Sequence, residues 1–456
     1  MSGIERWNAN VKVGRCRRPG SLIASVRKRS GQSARERTMP RREVPAGVEV
    51  RSANAEEMED FRFIANLALG EHGNPKRDPV TFLQPEWSTC VFEHGALSTT
   101  FGAWPFSMRF NGERAHVAGV TAVGTDPTKR RRGYLRLAME HSLDEQYERG
   151  QSLAALYASQ AGIYQRFGYA VCSRRLRYEI DPHDLNFVQA PTPTGTLSVS
   201  NARDLPDNAV VIRDLYREYM QPRNGLLHRG INLWTAEVLD EPSNIEEGPV
   251  RVLLYEEDGE ALGYMVYTSR EDQAISEPSA FQRDHRMTIR EYGWLTPAAY
   301  VAMWQYAASQ DLTWRIYLND APSDDPIQHF ARDPRTLRVR AMDGILVRIV
   351  DLPRALMTRR YQVESELTFR VVDELCEWNQ GTWKLSVGPE GADIRQVDES
   401  PELTMDVFTL AHLATGALTA TFNHRLGRVE AADSAALLRA DHLFATEYAM
   451  HCMNHF

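Results

Sequence analysis

The sequence predicts two consecutive α/β segments followed by an α+β module, and three observations carry that prediction. Strand-like and helix-like patterns alternate from Val48 to about Asp181. The same alternation returns more loosely between Leu185 and Arg340, and from about Gly344 alternating strands give way to Ala-rich helical stretches. No low-complexity linker separates the three, so the segments run 46–182, 183–343 and 344–456, behind a basic leader at 1–45.

Arg15, Arg17, Arg18, Arg27, Lys28, Arg29, Arg35 and Arg37 crowd the leader, which lacks the apolar stretch of about 7 to 15 residues that a secretory signal needs. Its Gly, Ser and Arg content favours disorder, and Met39, followed by Pro40 and Arg41, is a candidate start of the working protein. A nucleic-acid-binding arm is the sharper reading of such a charge run and is not the expected one. Because the whole chain still carries a net charge of -8, the body behind the leader is acidic. A composition 43% apolar and 25% charged is that of a soluble globular protein, and no run approaches the roughly 18 to 20 apolar residues of a membrane-spanning helix. Cys16, Cys90, Cys172, Cys376 and Cys452 form no C-x-x-C pair. That argues against a disulfide framework and a thiolate zinc site, and it fits a reducing cytoplasm. No metal is expected.

In the first segment Phe101 to Phe110 and Ala115 to Gly124 read as successive strands, the second rich in Gly and Val and stopped by Asp126 and Pro127. A helix follows. Leu135, Met139, Leu143 and Tyr147 recur four residues apart, Arg136, Glu140, Asp144 and Glu148 share another face, and Gly150 is placed to end it. Leu153 to Ala158 has the length and apolarity of a buried strand, and Gly162 to Gly168 reads as a short helix and turn. In the second segment Arg251 to Tyr255 and Ala261 to Thr268 flank the hairpin signal Glu257-Asp258-Gly259. Met287 to Arg290 is a further strand, and Thr296 to Gln310 a helix with Thr296 as N-cap and Pro297 at its first position. The third segment has strands at Leu367 to Asp373 and Thr382 to Val387, then helices over roughly Asp406 to Thr419 and Ser434 to Phe444.

The chemistry concentrates in the first segment. A backbone that must approach a pyrophosphate needs exposed N–H groups, a glycine and the positive end of a helix dipole. Arg130-Arg131-Arg132-Gly133-Tyr134, directly ahead of the amphipathic helix, meets all three needs. Alone, such a run also reads as a solvated basic turn. The neighbourhood decides between them: a strand feeds the loop, and a second strand followed by Ile163-Tyr164-Gln165-Arg166-Phe167-Gly168-Tyr169 comes after the helix. The combination resembles the GNAT acetyltransferase superfamily. Its acetyl-CoA loop runs Arg or Gln, two residues, Gly, one residue, then Gly or Ala, and its downstream signature is an aliphatic-Tyr pair shortly before Gly-Phe or Gly-Tyr. Leu135 departs from the small residue of that loop. PTKRRRGYLRLAM and ASQAGIYQRFGY more closely resemble the Eis-type (enhanced intracellular survival) acetyltransferases, where a bulkier residue at that place is usual. DGILVRIVDLPRAL and the ending on Phe456 extend the resemblance over most of the chain beyond residue 48.

That resemblance implies tandem GNAT-like domains, a sterol-carrier-like C-terminal domain, acetyl-CoA as co-substrate and a homohexamer. It places the pantetheine arm along the backbone of Val123, Gly124 and Thr125. The phosphates fall on Arg130, Arg131, Arg132, Gly133, Tyr134, Leu135 and Arg136, with Ser159 and Gln160 on the far side. Val123 also reads as ordinary core and Ser159 as a helix N-cap. Tyr164 stands where the family has its general acid, since a phenol of pKa about 10 can protonate a leaving thiolate without being ionised at pH 7. Its plain alternative is a buried aromatic with a backbone partner.

No Asp or Glu announces itself as the base. By resemblance the α-carboxylate of Phe456 takes that role, against the general tendency of termini to fray. His455 stands where the family commonly has an acid, and it is an alternative proton acceptor. Trp87, Trp104 and Phe106 are candidates for an acceptor pocket, or simply core. The second segment's counterpart of the loop, Glu291-Tyr292-Gly293-Trp294-Leu295, has an acid, no cation and bulky aromatics, so a GNAT-like copy without coenzyme A is expected there.

The expected function is N-acetylation of cationic acceptors such as aminoglycosides, polyamines or lysine-like amines, which an acidic body suits. The alternative is a non-catalytic protein that binds coenzyme A or a lipid. Peptidoglycan-type aminoacyl transferases also pair two GNAT domains, but the intact coenzyme A loop argues against them.

Overall fold

Each of the three segments builds a sheet, but the strands are not shared out in sequence order. A computed structural model describes residues 42–70, 83–205, 209–239, 248–272 and 283–456. The leader expected at 1–45 lies outside the described residues as far as residue 41. The first segment supplies β1 (Val48–Arg51), α1 (Met58–Leu69), β2 (Cys90–Glu93), β3 (Ala96–Phe110), β4 (Glu113–Thr125), α2 (Tyr134–Glu148), β5 (Leu153–Leu156), α3 (Ala161–Gln165) and β6 (Ala170–Val171). Next come β7 (Arg174–Ile180), β8 (Thr196–Asn201), α4 (Val210–Met220), α5 (Ile231–Leu233), β9 (Val250–Glu257), β10 (Glu260–Glu271), β11 (His285–Trp294), α6 (Pro297–Ala308), β12 (Thr313–Pro322), α7 (Ile327–Phe330) and β13 (Arg340–Asp343). The last part holds β14 (Leu346–Ile349), α8 (Leu352–Thr358), β15 (Ser365–Val372), β16 (Gly381–Gly388), β17 (Gly391–Gln396), β18 (Leu403–Asp406), α9 (Val407–Ala414), α10 (Ala420–Arg425), β19 (Glu430–Ala431) and α11 (Ser434–Leu443).

Local chemistry explains most of these bounds. Asn111-Gly112 joins β3 to β4 and Asp258-Gly259 joins β9 to β10, with positive φ at both residues of each pair. This is the type I′ turn, whose twist matches that of paired strands. Thr296 caps α6 by accepting from the Ala299 N–H at 3.2 Å, with Pro297 next in the chain. Asp406 caps α9 in the same way, accepting from the Thr409 N–H at 2.8 Å. That helix is shorter than the stretch expected to reach Thr419. It ends at Ala414, where the Thr415 hydroxyl donates back to the Ala411 carbonyl at 2.7 Å and Gly416 turns left-handed.

The first sheet has the order β1-β2-β3-β4-β5-β14-β6, the second β13-β7-β12-β11-β10-β9-β8, and the third β17-β16-β15-β18-β19. Two strands cross the expected segment boundaries. β7 precedes residue 182 yet pairs with β12 and β13 of the second sheet. β14 follows residue 344 yet runs antiparallel between β5 and β6 of the first. β14 is buried along its whole length, so it needs an interior place with cover on both faces. Its Arg348 meets Asp373 at 2.7 Å with both side chains at most 1% exposed, and its Nη2 also reaches the Cys376 sulphur at 3.2 Å. A single apolar core runs from Val117, Leu153 and Val347 of the first sheet to Phe369, Leu403 and Leu410 of the last domain.

Among the described residues no helix is long and apolar enough to cross a membrane, and no cluster of His, Cys, Asp or Glu could hold a metal ion. Cys90, Cys172, Cys376 and Cys452 are buried free thiols.

Removing one partner of a buried ion pair strands the other charge. Asp373→Ala should therefore lower stability by about 3 to 5 kcal/mol, read as the midpoint of chemical unfolding. A loss below about 1 kcal/mol would show that Arg348 finds another partner or water.

Candidate functional site

The site begins where two parallel strands part. β4 pairs with β5 through Val117–Leu153, Ala118–Ala154 and Gly119–Ala155 and no further. Past Gly119 the strand bends at a register shift, where Ala122 takes a left-handed φ of 50°, and it keeps only β3 as a described partner. Its backbone N–H and C=O groups on the β5 side are left for another partner. A cleft of about 1060 Å³ opens there. Val123, Gly124 and Thr125 line one wall, and Ser159, Gln160, Ile163 and Tyr164 the other. An extended chain bearing amides, as the pantetheine arm is, suits such a free strand edge.

The turn into α2 forms the other end of the cleft. Asp126 accepts from the Thr128 N–H at 2.8 Å, starting a tight turn. Arg131 and Gly133 then take positive φ of 66° and 86°, which turns the loop about the first turn of α2. Arg130, Arg131, Gly133, Tyr134, Leu135 and Arg136 line the cleft. Arg132 does not. Its guanidinium pairs with Glu93 at 2.7 Å, and Glu93 also takes the Tyr134 hydroxyl at 2.6 Å and Lys129 at 3.7 Å. Arg132 therefore braces the loop against β2, because Glu93 offers a fixed carboxylate at the strand end. Ser159 is not a cap either; the residue at the start of α3 is Gln160, with no side-chain capping bond. The lining also includes residues that the sequence did not suggest: Arg42 ahead of β1, and Asp373, Asp406 and Phe408 from the last domain. No motif marks them, since each arrives from a distant part of the chain.

Tyr164 lies in the cleft wall with 7% of its surface exposed. Burial pushes its phenol up to about 12, so the hydroxyl stays protonated at neutral pH. No hydrogen bond to its hydroxyl occurs among the described residues, so the plain reading of a buried aromatic satisfied by backbone is not met.

The chain end is held rather than frayed. The Tyr157 hydroxyl donates to the Cys452 carbonyl. Asn454 Oδ1 accepts from Arg229 Nε at 2.8 Å, and Arg229 in turn forms a buried pair with Glu291 at 2.8 Å. His455 Nε2 meets Asp320 at 2.8 Å while its ring lies 4.3 Å from that of Tyr157. Phe456 then packs edge-on to Phe106, ring centroids 5.1 Å apart. A Cβ at Gly119 would collide with the Phe106 ring and stand 3.3 Å from Phe456 Cδ2. Glycine there is what lets the last residue reach the parting of β4 and β5.

Trp87, Trp104 and Phe106 come together: Trp87 and Trp104 are 5.6 Å apart, and Trp104 stacks on Phe106 at 6.0 Å. They line a second cleft of about 460 Å³ with Arg114, His228 and Ile231. Desolvation, with Arg109 and Arg114 nearby, lowers the His228 imidazole to about 4, so it is neutral at pH 7. Phe106 belongs to this cleft and touches Phe456, which sets the chain end beside it.

The second sheet has no such site among the described residues. Glu291 to Trp294, expected as a loop, are the end of β11, and only Leu295 and Thr296 separate that strand from α6. The Glu291 carboxylate is used by Arg229 and by the Tyr264 hydroxyl.

Comparison with known proteins places three domain families along the chain. Residues 49–172 and 225–349 each match an acetyltransferase (GNAT) domain family, and 352–453 match the sterol carrier protein domain family. The chain is 29% identical over 389 residues to N-acetyltransferase Eis of Mycobacterium tuberculosis, covering 80% of this chain and 91% of that one. It is also 29% identical over 373 residues to an uncharacterized N-acetyltransferase of Streptomyces avermitilis, covering 81% and 89%. In fold it is similar to the crystal structure of Eis1 from Mycobacterium abscessus, with a TM-score of 0.77, 24% identity, and coverage of 90% and 100%. A GCN5-related N-acetyltransferase from Anabaena variabilis gives a TM-score of 0.78 at 21% identity, again with coverage of 90% and 100%.

Gly133 supplies the loop with a φ that costs other residues about 1 to 2 kcal/mol. Gly133→Ala should weaken coenzyme A binding about tenfold or more by calorimetry, while its effect on thermal stability stays small. Unchanged affinity would mean that the loop does not hold the phosphates.

Proposed function

We propose that the chain is an Eis-type N-acetyltransferase of the GNAT superfamily, as its relatives and domain matches support, and that it acetylates a primary amine with Tyr164 as general acid and the Phe456 α-carboxylate as general base. The observation that carries this reading is that Phe456 lies against Gly119, the last β4 residue paired with β5, beyond which Val123 to Thr125 share a cleft with Tyr164. Acetyl-CoA supplies the activated thioester. Val123 to Thr125 would hold its amides, and Arg130, Arg131, Arg136 and the start of α2 its phosphates.

The attacking amine must lose a proton. A terminal carboxylate of ordinary pKa, about 3.5, is ionised at neutral pH and can accept it. Tethering by Cys452, Asn454 and His455 removes the freedom that a chain end normally has. Tyr164 donates its proton toward the departing sulphur and regains one from solvent. The burial that keeps it protonated also makes it a weaker acid than an exposed phenol. Much of its contribution therefore comes from hydrogen bonding to charge on sulphur in a water-poor cleft. The aromatic faces of Trp87 and Trp104 support an acceptor whose ammonium or ring can rest on them. Arg114 in the same lining works against a polycation.

The direct test is thiol release from acetyl-CoA with a panel of arylalkylamines, polyamines, aminoglycosides and lysine peptides. Turnover is expected with at least one class; tight acetyl-CoA binding without turnover on any would leave a binding protein. Tyr164→Phe should lower kcat about 100-fold. In the wild type, Tyr164 contributes no alkaline loss of activity until the pH nears about 12, because only ionisation of the phenol would silence it. An unchanged kcat in this variant removes Tyr164 from the mechanism. Deleting Phe456, or extending the chain beyond it with a tag, should abolish most turnover and leave coenzyme A affinity within about twofold. Full activity in the tagged protein would exclude the terminal carboxylate.

A further inference from the structure

We infer that Arg42 is a phosphate-binding residue of the coenzyme A site, contributed by the segment ahead of the first GNAT domain. The inference rests on the acetyl-CoA reading of the cleft and extends it to a residue outside both the loop motif and the matched domain, which starts at residue 49.

Arg42 is anchored at two points on the loop and helix that would receive the pyrophosphate. Its backbone N–H donates to Glu140 Oε2 at 3.2 Å, and its Nη2 donates to the Arg132 carbonyl at 2.8 Å. The guanidinium lies directly against Gly133, where any Cβ would overlap Nη1. Gly133 is also the N-cap residue of α2, so this cation sits at the positive end of a fifteen-residue helix and is repelled by it. Further cations surround it. Arg130 and Arg131 line the same cleft, and among the described residues Arg130 donates to the Thr125 and Ala68 carbonyls. Among the described residues none of these three guanidiniums has a carboxylate at ion-pair distance, whereas Arg132 has Glu93 and Arg136 has Glu140.

Three uncompensated cations around a helix N-terminus repel one another until an anion arrives. The pyrophosphate of coenzyme A is such an anion, and it meets the loop at Gly133. With Nη2 spent on the Arg132 carbonyl, Nη1 and Nε of Arg42 remain to donate to a phosphate oxygen. The glycine thus makes room for two things at once, the phosphate and the cation that covers it.

The test compares the full chain with Arg42→Ala and Arg42→Lys in calorimetric titrations of coenzyme A and of 3′-dephospho-coenzyme A. Arg42→Ala should weaken both ligands about tenfold or more, the order expected of a lost charge-assisted hydrogen bond. Arg42→Lys should recover part of the loss. The gap between wild type and Arg42→Ala should narrow as salt rises. In turnover, KM for acetyl-CoA should rise far more than kcat falls, and the melting temperature of the free protein should not move. Equal affinity in Arg42→Ala, or tighter binding because the guanidinium was blocking the loop, overturns the inference. So does a penalty that disappears with 3′-dephospho-coenzyme A, which would assign Arg42 to the 3′-phosphate. If the wild type binds no coenzyme A, the acetyl-CoA reading of the cleft fails instead.

Discussion

The parting of β4 from β5 after Gly119 is the constraint on which the rest of the molecule depends. Two central strands that stop pairing leave a row of backbone donors and acceptors without partners, and buried groups of that kind are costly. The protein answers with a bulge at Ala122 that turns the strand edge toward a cleft, and with a wedge of aromatic rings, Phe106 and Phe456, at the branch point. A ligand with amide groups can complete the ladder. The structural defect and the binding site are the same feature.

Holding the branch point requires all three sheets. β14 comes from the far end of the chain to lie between β5 and β6, and its Arg348 carries the buried link to Asp373 on the last domain. On the other side Arg229 and Glu291 of the second domain form a second buried pair, and Arg229 passes a hydrogen bond to Asn454. Buried pairs of this sort add little net stability compared with apolar packing, but they are expensive to break and tolerate few alternative arrangements. Their effect here is to fix geometry: the tail enters in one register, and Phe456 is delivered to Gly119.

The two GNAT domains differ in what joins strand to helix. In the first, Asp126 to Gly133 intervene between strand and helix, carrying four consecutive cations from Lys129 to Arg132. In the second, β11 runs almost directly into α6, and the acid at the strand end is committed to Arg229. The first loop can wrap an anion. The second connection is too short to do so, and the charge it holds is structural.

Much was legible in the sequence because it is local. The Asp258-Gly259 hairpin turn, the Thr296 and Pro297 start of α6 and the glycine ahead of α2 act within a few residues, and the structure has them. The face of α2 differs from its spacing, with Glu140 buried and Tyr147 exposed, because the helix packs along Leu137, Met139, Leu143 and Gln146. Pairing across distance was not legible. Arg132 looks like its neighbours in sequence and differs only because Glu93 stands opposite it. Glu291 to Trp294 read as a loop because what carries β11 through them is pairing with β10 from Gly263 to Val266, which no pattern within those residues shows. The sequence by itself therefore determined the fold class, the basic glycine loop ahead of α2 and the identity of the residues available for chemistry. Only the tertiary structure decided that β14 lies in the first sheet, that the C-terminal tail reaches Gly119 and that Arg42 faces the loop. Those contacts join residues 90 or more positions apart, and no local pattern encodes them.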